Sequence, residues 1–212
     1  MKILIVAATE FEVSAYHSKI KDDKLPVDII ITGAGMVPTA FKLGQHFATA
    51  AYTYDLIINV GIAGSFRRDI RLGAVVRINK DQFSELGAED GDDFLTFEDI
   101  GLGESQYVDK LPETFERYSS ISKLESFKGV TVNTVHGNSK SIKTFTSRVD
   151  ADLESMEGAA VFYVANALNI PVLQVRSISN YVETRNRDSW DVRLAITNLN
   201  NWLLNLTKDI YD

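Results

Sequence analysis

The sequence predicts an α/β fold, formed by a single domain over residues 1–212, with a mixed, largely parallel central sheet that is flanked by helices on both faces. Short apolar, β-branched runs alternate with segments of helical composition. Glycine-rich or polar turns directly follow several of these runs. The chain has 212 residues, of which 45% are hydrophobic, so it can bury a substantial core without disulfides or metal ions.

The first half of the chain carries most of this signal. An apolar run over residues 3–8 predicts the first strand, and Thr9 is the expected N-cap of a helix from Glu10 to Ile20. The same unit then recurs. Further strands are predicted over 27–32, 56–60 and 73–78, and a second helix over about 37–51.

The second half is less regular. Residues from about 82 to 103 are acidic and punctuated by glycine, which predicts loops. A strand is predicted over 130–135, a buried helix over 158–168 and another strand over 171–178. The last helix, from Ala195, has apolar residues at three- and four-residue steps, which predict one buried stripe: Leu199, Trp202, Leu203, Leu206 and Ile210.

Composition excludes several classes of function. A formal net charge of −7 and a pI near 5.0 give no basic field for a nucleic acid or an anionic membrane. The absence of cysteine excludes disulfides, thiolate metal sites and cysteine catalysis. No run approaches the ~18–20 apolar residues of a membrane span, so a soluble, cytoplasmic protein is expected. The three histidines, His17, His46 and His136, lack metal-ligand spacing, and no metal or organic cofactor is implied.

Segments that follow predicted strands are the first places to look for a ligand site, because ligands of such sheets bind at the carboxyl ends of strands. These segments are residues 9–12, 33–35, 61–64 and 177–180. The glycine turn at 33–35 either binds an anion or is a tight structural turn, and the lack of a dinucleotide fingerprint favours the turn. The second glycine pair, at 61–64, either allows close packing or leaves room for a flat ligand.

Charged residues near these segments also have two interpretations. Four glutamates lie beside strand ends or helix starts, where a carboxylate either acts in catalysis or only caps a helix: Glu10, Glu12, Glu154 and Glu157. Three arginines form either a phosphate-binding cluster or a solvated face: Arg67, Arg68 and Arg71.

Two segments carry a family resemblance. The run from Leu153 to Ala160 (LESMEGAA) and the strand end from Arg176 to Asn180 (RSISN) resemble the Met-Glu and Ile-Ser-Asp/Asn motifs of the purine nucleoside phosphorylase and nucleosidase superfamily. The N-terminal AATEFEV and the NVGIAG that begins at Asn59 fall where that superfamily has them. The resemblance implies a nucleoside phosphorylase-like fold and a small-molecule purine nucleoside as substrate. Related enzymes form oligomers, commonly dimers, so a homo-oligomer is expected.

Within that superfamily, residues 179–183 (SNYVE) and 185–190 (RNRDSW) most resemble the futalosine hydrolases, enzymes of an alternative menaquinone pathway. The similarity extends over most of the chain, although residues 82–127 contribute little. Enzymes of this kind cleave the N-glycosidic bond of futalosine with water and release hypoxanthine and dehypoxanthine futalosine. The resemblance therefore implies a nucleosidase.

The resemblance also assigns roles to individual residues. Glu12 is the expected general base that deprotonates the attacking water, and Arg176 helps to hold it. Glu157 is expected to bind ribose hydroxyls, while Met156 packs against the sugar. The remaining expected substrate contacts are Ser155, Ser179, Gly61 and Ile62. Ile62 stands where related adenine-specific nucleosidases have serine, and residues 137–140 (GNSK) lack their aromatic base-stacking segment.

Asn180 is expected to select the base. Related nucleosidases that cleave 6-aminopurines have Asp at this position, whereas the NH₂ of Asn can donate to O6 of a 6-oxopurine and its carbonyl can accept from a protonated N7. An adenine would set its amino group against that donor, which disfavours adenine. A hypoxanthine-type base is therefore expected.

Three functions remain open. Glu12 would repel a phosphate dianion at the nucleophile position, which favours water over phosphate and makes a purine nucleoside phosphorylase the second choice. A non-catalytic purine-binding module is the third. Futalosine carries a carboxylated aromatic tail, and Arg185 or Arg187 is expected to pair with that carboxylate.

Overall fold

A computed structural model describes residues 1–50 and 53–212 of the chain. The strands are β1 (Ile3–Ala7), β2 (Val27–Ile31), β3 (Leu56–Ser65), β4 (Val75–Gln82), β5 (Gly87–Asp90), β6 (Asp93–Thr96), β7 (Gln106–Val108), β8 (Ser126–Thr131), β9 (Leu153–Ser155) and β10 (Val172–Tyr181). The α-helices are α1 (Glu10–Ile20), α2 (Met36–Thr49), α3 (Ser119–Ser122), α4 (Ser139–Thr146), α5 (Gly158–Ala167) and α6 (Val192–Tyr211), and there are 3₁₀ turns at Glu113–Phe115 and Arg187–Ser189.

Strand β3 is the centre of the main sheet. Its first half pairs in parallel with β1, its last two residues pair antiparallel with β9, and its other edge pairs in parallel with β10. Strand β4 pairs antiparallel with β10 and parallel with β8, and β8 pairs in parallel with β9. Among the described residues, the pairings β3–β10–β4–β8–β9–β3 therefore form a closed ring, from which β1 and β2 extend as an open wing.

The α/β class and the mixed sheet are confirmed, but antiparallel ladders interrupt the sheet, so it is less parallel than the sequence predicts. The pattern of apolar runs indicates where strands lie and says nothing about which strands pair, so the ring could not be read from it. The chain also contains no helix, within the described residues, that is both long and apolar enough for a bilayer.

Two hydrophobic cores lie on opposite faces of the open wing. Along β1, alternate residues point to opposite sides, so Ile3 and Ile5 pack with α1 and α6 while Leu4 and Val6 pack with α2 and α5. Helices on both faces are thus confirmed. The stripe predicted on the last helix lies in the first of these cores, although α6 begins at Val192, three residues earlier than expected, because Asp191 caps it.

Several predicted elements need correction. Strand β8 ends at Thr131, four residues before the predicted end, and β4 continues to Gln82. Residues 82–103 are not only loops: β5 and β6 form a hairpin whose turn contains Gly91 at φ +65°, a backbone conformation that glycine adopts without strain. The sequence does not indicate this hairpin, because its strands are short and β5 ends in two acidic residues. The second helix ends at Thr49, and its predicted last residue, Ala51, lies outside the described residues.

The most consequential correction concerns the glycines at 61–64. They belong to β3, which runs on to Ser65, and do not form a turn after it. Their lack of side chains serves a close approach instead. A Cβ on Gly61 would lie 2.8 Å from Glu12 Oε1, and a Cβ on Gly64 would lie 3.1 Å from Asn180 Nδ2. Strand β3 therefore has no side chain at the two positions that Glu12 of α1 and Asn180 of β10 approach.

Candidate active site

A cavity of about 340 Å³ opens at the carboxyl ends of β1, β3 and β10, beside β9. A larger surface groove, about 650 Å³, lies between α3 and α6, but no buried carboxylate lines it. The smaller cavity is lined by Ala8, Thr9, Phe11, Glu12, Ala34, Ile62, Ala63, Gly64, Val135, His136, Glu154, Ser155, Met156, Glu157, Ser179, Asn180, Arg185 and Trp190. Most of the predicted site residues are among them, and Gly61, Arg176 and Arg187 are not.

Glu12 lies in the first turn of α1 and is only 7% exposed. Its Oε1 accepts a hydrogen bond from the Ile62 backbone N–H at 3.1 Å, and its Oε2 accepts from the Thr9 backbone N–H at 3.0 Å and from the Thr9 hydroxyl at 3.1 Å. Burial raises the pKa of this carboxyl above its ordinary value, while these donors and Arg176 act in the opposite direction. The carboxylate is therefore fixed in position in the cavity wall.

Arg176 on β10 is fully buried behind that wall. Its Nη2 donates to Asn59 Oδ1 at 2.6 Å, and its Nη1 donates to the Val175 carbonyl at 3.3 Å. Burial lowers the pKa of the guanidinium, and the charges of Glu157 and Glu12 oppose that shift. Arg176 thus acts on the cavity through its charge and does not line it.

The Met-Glu segment lies where β9 leads into α5. Glu157 is the N-cap residue of α5, and its Oε1 accepts a hydrogen bond from the Gly35 backbone N–H at 2.8 Å. Gly33 and Gly35 both have positive φ, so the glycine segment is a structural turn, as the sequence favours. The amide at Gly35 binds a carboxylate of the protein itself. Met156 and Ser155 lie beside Glu157 in the wall.

Asn180 is held in one orientation. Its Nδ2 donates to the Tyr181 carbonyl at 3.1 Å, and its Oδ1 accepts from the Ser179 hydroxyl at 2.8 Å. Because a carbonyl can only accept, the amide nitrogen must face Tyr181. The β3–β10 register shifts between Ile178 and Asn180, and such a bulge changes the direction of nearby side chains. One N–H and one lone pair of the amide remain for a ligand.

The arginines fall into two groups. Arg185 lines the cavity with its guanidinium 5.1 Å from the centre of the Trp190 ring, whereas Arg187, 6.0 Å from the same ring, does not line the cavity. Arg67 pairs with Asp69 and Asp152, Arg68 pairs with Glu183, and Arg71 lines the distant groove. None of these three lines the cavity, so they form no phosphate-binding cluster there, and the exposed ion pairs of Arg67 and Arg68 fit the alternative of a solvated face.

Sequence reasoning missed several wall residues. The sequence gives His136 only a lack of metal-ligand spacing, and it offers Glu154 only as one of four carboxylates near an element end. The ring Nδ1 of His136 is hydrogen-bonded to Glu154 Oε2, and the backbone N–H of His136 donates to Glu154 Oε1 at 3.0 Å. Burial raises the pKa of Glu154, and the hydrogen bonds from His136 oppose that shift. The aromatic wall residues Phe11 and Trp190 lie within the motif segments at 7–13 and 185–190, but the sequence assigns neither of them a role in the site.

Asp81 on β4 is a further buried carboxyl close to the site. It accepts hydrogen bonds from Thr131 Oγ1 at 3.0 Å, Gln174 Nε2 at 2.8 Å and the Gln82 backbone N–H at 2.8 Å. Thr131 Oγ1 in turn accepts from the Ala159 N–H at the start of α5. Burial raises the pKa of Asp81 from 3.8 to about 6. Among the described residues, no group of three or more potential ligands is placed to hold a metal ion.

Comparison with known proteins gives a consistent family. A family profile described as the phosphorylase superfamily matches residues 2–208. The futalosine hydrolase of Streptomyces coelicolor is 29% identical over 176 residues, which cover 81% of this chain and 74% of that protein. A 5′-methylthioadenosine/S-adenosylhomocysteine nucleosidase of Tolumonas auensis is 24% identical over 221 residues, which cover 92% and 93% of the two chains.

Solved structures show the same fold. The futalosine hydrolase of Helicobacter pylori superposes with a TM-score of 0.82 at 16% identity, covering 99% of this chain and 98% of that one. A 5′-methylthioadenosine/S-adenosylhomocysteine nucleosidase of Colwellia psychrerythraea, in complex with adenine, gives a TM-score of 0.81 at 18% identity, covering 99% and 96%. At these identities the likeness establishes the fold alone.

Proposed function

This chain belongs to the phosphorylase superfamily, and we propose that it is a nucleosidase that hydrolyses the N-glycosidic bond of futalosine, releasing hypoxanthine and dehypoxanthine futalosine. The observation that carries the proposal is the presence, in one cavity, of the buried carboxylate of Glu12 and the oriented amide of Asn180. The first suits the activation of water, and the second suits a 6-oxopurine. Similarity to several futalosine hydrolases supports the same choice.

In the proposed reaction, water attacks C1′ of the ribose while the bond from C1′ to N9 of the base breaks. Positive charge develops on the sugar and negative charge on the departing base. Glu12 takes a proton from the water, and its raised pKa suits a base that must hold a proton briefly. The electron pair of the broken bond goes to the base, which takes a proton from solvent at N7.

Asn180 would stabilise that base. Its free N–H donates to O6 and its Oδ1 accepts from the protonated N7, so both contacts strengthen as the base departs. We assign the ribose hydroxyls to Glu157 and contact with the sugar to Met156, with Ser155, Ser179 and Ile62 completing the wall. Arg176 acts as a positioning residue behind Glu12, since it does not reach the cavity.

The carboxylated tail of futalosine would bind near Trp190. Arg185 is the cation in the cavity wall, and its stacking on the indole fixes its guanidinium. An arginine held in this way can make a bidentate contact with a carboxylate. We therefore assign the tail to Arg185 and not to Arg187.

A second candidate is a 5′-methylthioadenosine/S-adenosylhomocysteine nucleosidase, because a protein of that name matches over 92% of this chain. The two functions differ in the base. Adenine offers an amino group where hypoxanthine offers O6, and the Nδ2 of Asn180 would then face another donor. A phosphorylase is disfavoured because Arg67 and Arg68 are paired with carboxylates away from the cavity.

An assay of base release tests these functions. The protein is incubated with futalosine, inosine and methylthioadenosine, with and without phosphate, and the released base and sugar are identified. We expect hypoxanthine from futalosine at a rate that does not depend on phosphate. Release of adenine from methylthioadenosine alone would support the second candidate, and phosphate-dependent release of ribose 1-phosphate would support a phosphorylase. Binding without any release would indicate a purine-binding module.

Two further expectations go with this proposal. Phe11, Val37 and Phe41 are 65%, 72% and 69% exposed, and apolar surface of this kind suits contact with a second copy of the chain. The homo-oligomer stays a prediction, as does the cytoplasmic location.

A further inference from the structure

His136 and Glu154 form a hydrogen-bonded pair in the cavity wall, and the proposed reaction gives them no role. The side chains are only 12% and 4% exposed. Glu154 holds His136 at two points, the backbone N–H and ring Nδ1. The imidazole also packs against Phe145, with ring centres 4.3 Å apart. The ring is therefore fixed in position and orientation.

The pair also fixes the tautomer of His136. A carboxylate can only accept hydrogen bonds, so Nδ1 must carry the proton that Glu154 binds. In the neutral imidazole, Nε2 then presents a lone pair. Nε2 has no hydrogen-bond partner among the described residues, and it is not one of the fully buried polar atoms that lack a partner. His136 thus offers an unused acceptor, and this residue lines both the cavity and the neighbouring pocket beside α4.

Glu154, which holds the imidazole, lies across Gly64 from Asn180. Gly64 pairs with Glu154 on one edge of β3 and with Asn180 on the other. Neighbouring strands are about 4.8 Å apart, so the backbones of Glu154 and Asn180 are separated by roughly 10 Å. Gly64 places no side chain between them. The gap suits a flat bicyclic base, with one edge toward Asn180 and another toward His136.

We propose that His136 is a base-recognition residue, whose Nε2 accepts a hydrogen bond from N1–H of a 6-oxopurine, and that Glu154 is the positioning residue that keeps Nε2 an acceptor. The inference rests on the proposed function, since it takes a purine nucleoside as the substrate. A 6-oxopurine carries a hydrogen on N1, whereas the N1 of a 6-aminopurine is an acceptor and would face the lone pair of Nε2. His136 therefore distinguishes the same two bases as Asn180, at a second atom.

Glu154→Gln gives a sharp test because it inverts the tautomer without removing the clamp. The Gln carbonyl still accepts from the His136 backbone N–H, but its amide donates to Nδ1, so the ring proton moves to Nε2. We expect affinity for free hypoxanthine, measured by calorimetry, to fall about 10- to 100-fold, while affinity for free adenine is unchanged or rises. A merely structural role would weaken both bases equally and leave their ratio constant.

Two more variants complete the experiment. His136→Phe keeps an aromatic ring against Phe145 and removes both nitrogens, so the preference for hypoxanthine over adenine is expected to fall. His17→Gln changes a histidine on the exposed part of α1 and is expected to leave the preference at the wild-type value. An unchanged ratio in both Glu154→Gln and His136→Phe would overturn the proposal.

A measurement on the wild-type protein covers the case in which the variants do not fold. The chain has three histidines, so a protein labelled with ¹⁵N-histidine gives few ring resonances, and His17→Gln identifies one of them. Saturating hypoxanthine is expected to shift the Nε2 resonance of His136. An unmoved Nε2 resonance, or no binding of hypoxanthine, would overturn the proposal. Because free bases are the probes, hypoxanthine selectivity without hydrolysis of futalosine would contradict the proposed function and leave this inference standing.

Discussion

At the scale of single residues, Glu12 fills two roles that look like alternatives in the sequence. It binds the Thr9 backbone N–H at the start of α1, as a capping carboxylate does, and it lines the cavity. The capping contact also fixes the carboxylate in the geometry that the proposed catalysis needs, because a carboxylate held at both oxygens cannot turn away. The helix-capping role of Glu12 and its proposed catalytic role are therefore compatible.

Glu12→Gln should separate catalysis from binding. We expect turnover of futalosine to fall by about 10²- to 10⁴-fold, because the amide cannot take a proton from water. Affinity for hypoxanthine should change little, since the base is assigned to other residues. Kinetics and calorimetry on the same preparation measure both quantities. Equal losses of turnover and affinity would contradict a base at this position.

The pH profile of the wild-type enzyme follows from the same residue. A general base must be deprotonated, so kcat/KM should rise with pH through the pKa of Glu12. Because burial raises that pKa, the acid limb should lie above 4.5, the ordinary value of the group. A profile that is flat down to pH 4.5 would not fit.

Arg185→Ala should weaken binding of the tail without affecting the base. We expect the KM for futalosine to rise about tenfold or more, as for the loss of a charge-assisted contact, while the KM for inosine, which lacks the tail, changes little. Arg187→Ala is the matched control, since that residue contacts the same indole from outside the cavity wall. Equal KM values for futalosine in the wild type and Arg185→Ala would exclude this assignment.

Asp81 should make stability depend on pH. Its folded pKa, about 6, exceeds the ordinary 3.8, so the folded state binds its proton more tightly than the unfolded state does. The contribution of Asp81 to the free energy of unfolding is therefore full below about pH 3.8 and falls as pH rises through about 6. A shift of this size corresponds to about 3 kcal/mol.

Urea unfolding from pH 4 to pH 8 measures that dependence. Asp81→Asn removes the titration, so the variant should lose less stability over this range than the wild type. Asp22→Asn, in an exposed turn, provides a control with the same change of charge. Parallel curves for Asp81→Asn and the wild type would count against the interpretation.

At the scale of elements, β3 and β10 form the site together. The glycines of β3 leave room for Glu12 and Asn180, while the bulge in β10 orients Asn180. The sequence indicates the segments at 61–64 and 177–180 as parts of the site, but it places the glycines of the first segment after β3 and not within it. Glycine commonly ends a strand, and only the three-dimensional approach of Glu12 explains why Gly61 lies within one.

Gly61→Ala tests that explanation. Its Cβ would lie 2.8 Å from Glu12 Oε1 and 3.5 Å from Arg176 Nη1, and Glu12 is held by Thr9 and Ile62. We expect turnover to fall at least about tenfold, since a displacement of about 1 Å can cost 10²-fold. Gly44→Ala, in α2 with open space around it, should keep full turnover and raise stability by about 0.5–1 kcal/mol. Wild-type turnover in Gly61→Ala would show that turnover does not depend on the close approach of Glu12 to Gly61.

The local elements with a clear period could be predicted. Helix α1, its Thr9 cap and the buried helix α5 follow from residues that are neighbours in the sequence. The short strand β9 could not, because Leu153–Ser155 has no period of its own and pairs only with distant strands. The pair of His136 with Glu154 cannot be predicted for the same reason: a loop residue and a strand residue that meet only in the folded chain leave no mark on local spacing.

At the scale of the whole molecule, the cavity joins parts of the chain that lie far apart in sequence. Glu12 follows β1, Asn180 ends β10, and Glu157 follows β9. A ligand that binds this cavity, and so binds only the folded chain, should stabilise the entire fold. With hypoxanthine at about 100 times its dissociation constant, we expect about 2.7 kcal/mol of added stability and a higher Tm. Adenine at the same concentration is the comparison, and an equal rise in Tm for both bases would argue against selectivity for a 6-oxopurine.

The closed ring of strands has a consequence for how the protein reaches its native state. The second edge of strand β3 pairs with β10, which lies more than a hundred residues later in the sequence. That edge therefore stays unpaired until β10 is available. Topologies of high contact order fold slowly, because loop closure precedes the stabilising contacts. During synthesis on the ribosome, β1, β2 and β3 can associate early, but the ring closes only after β10 has emerged. The cavity is therefore completed late, because Asn180 lies at the end of β10.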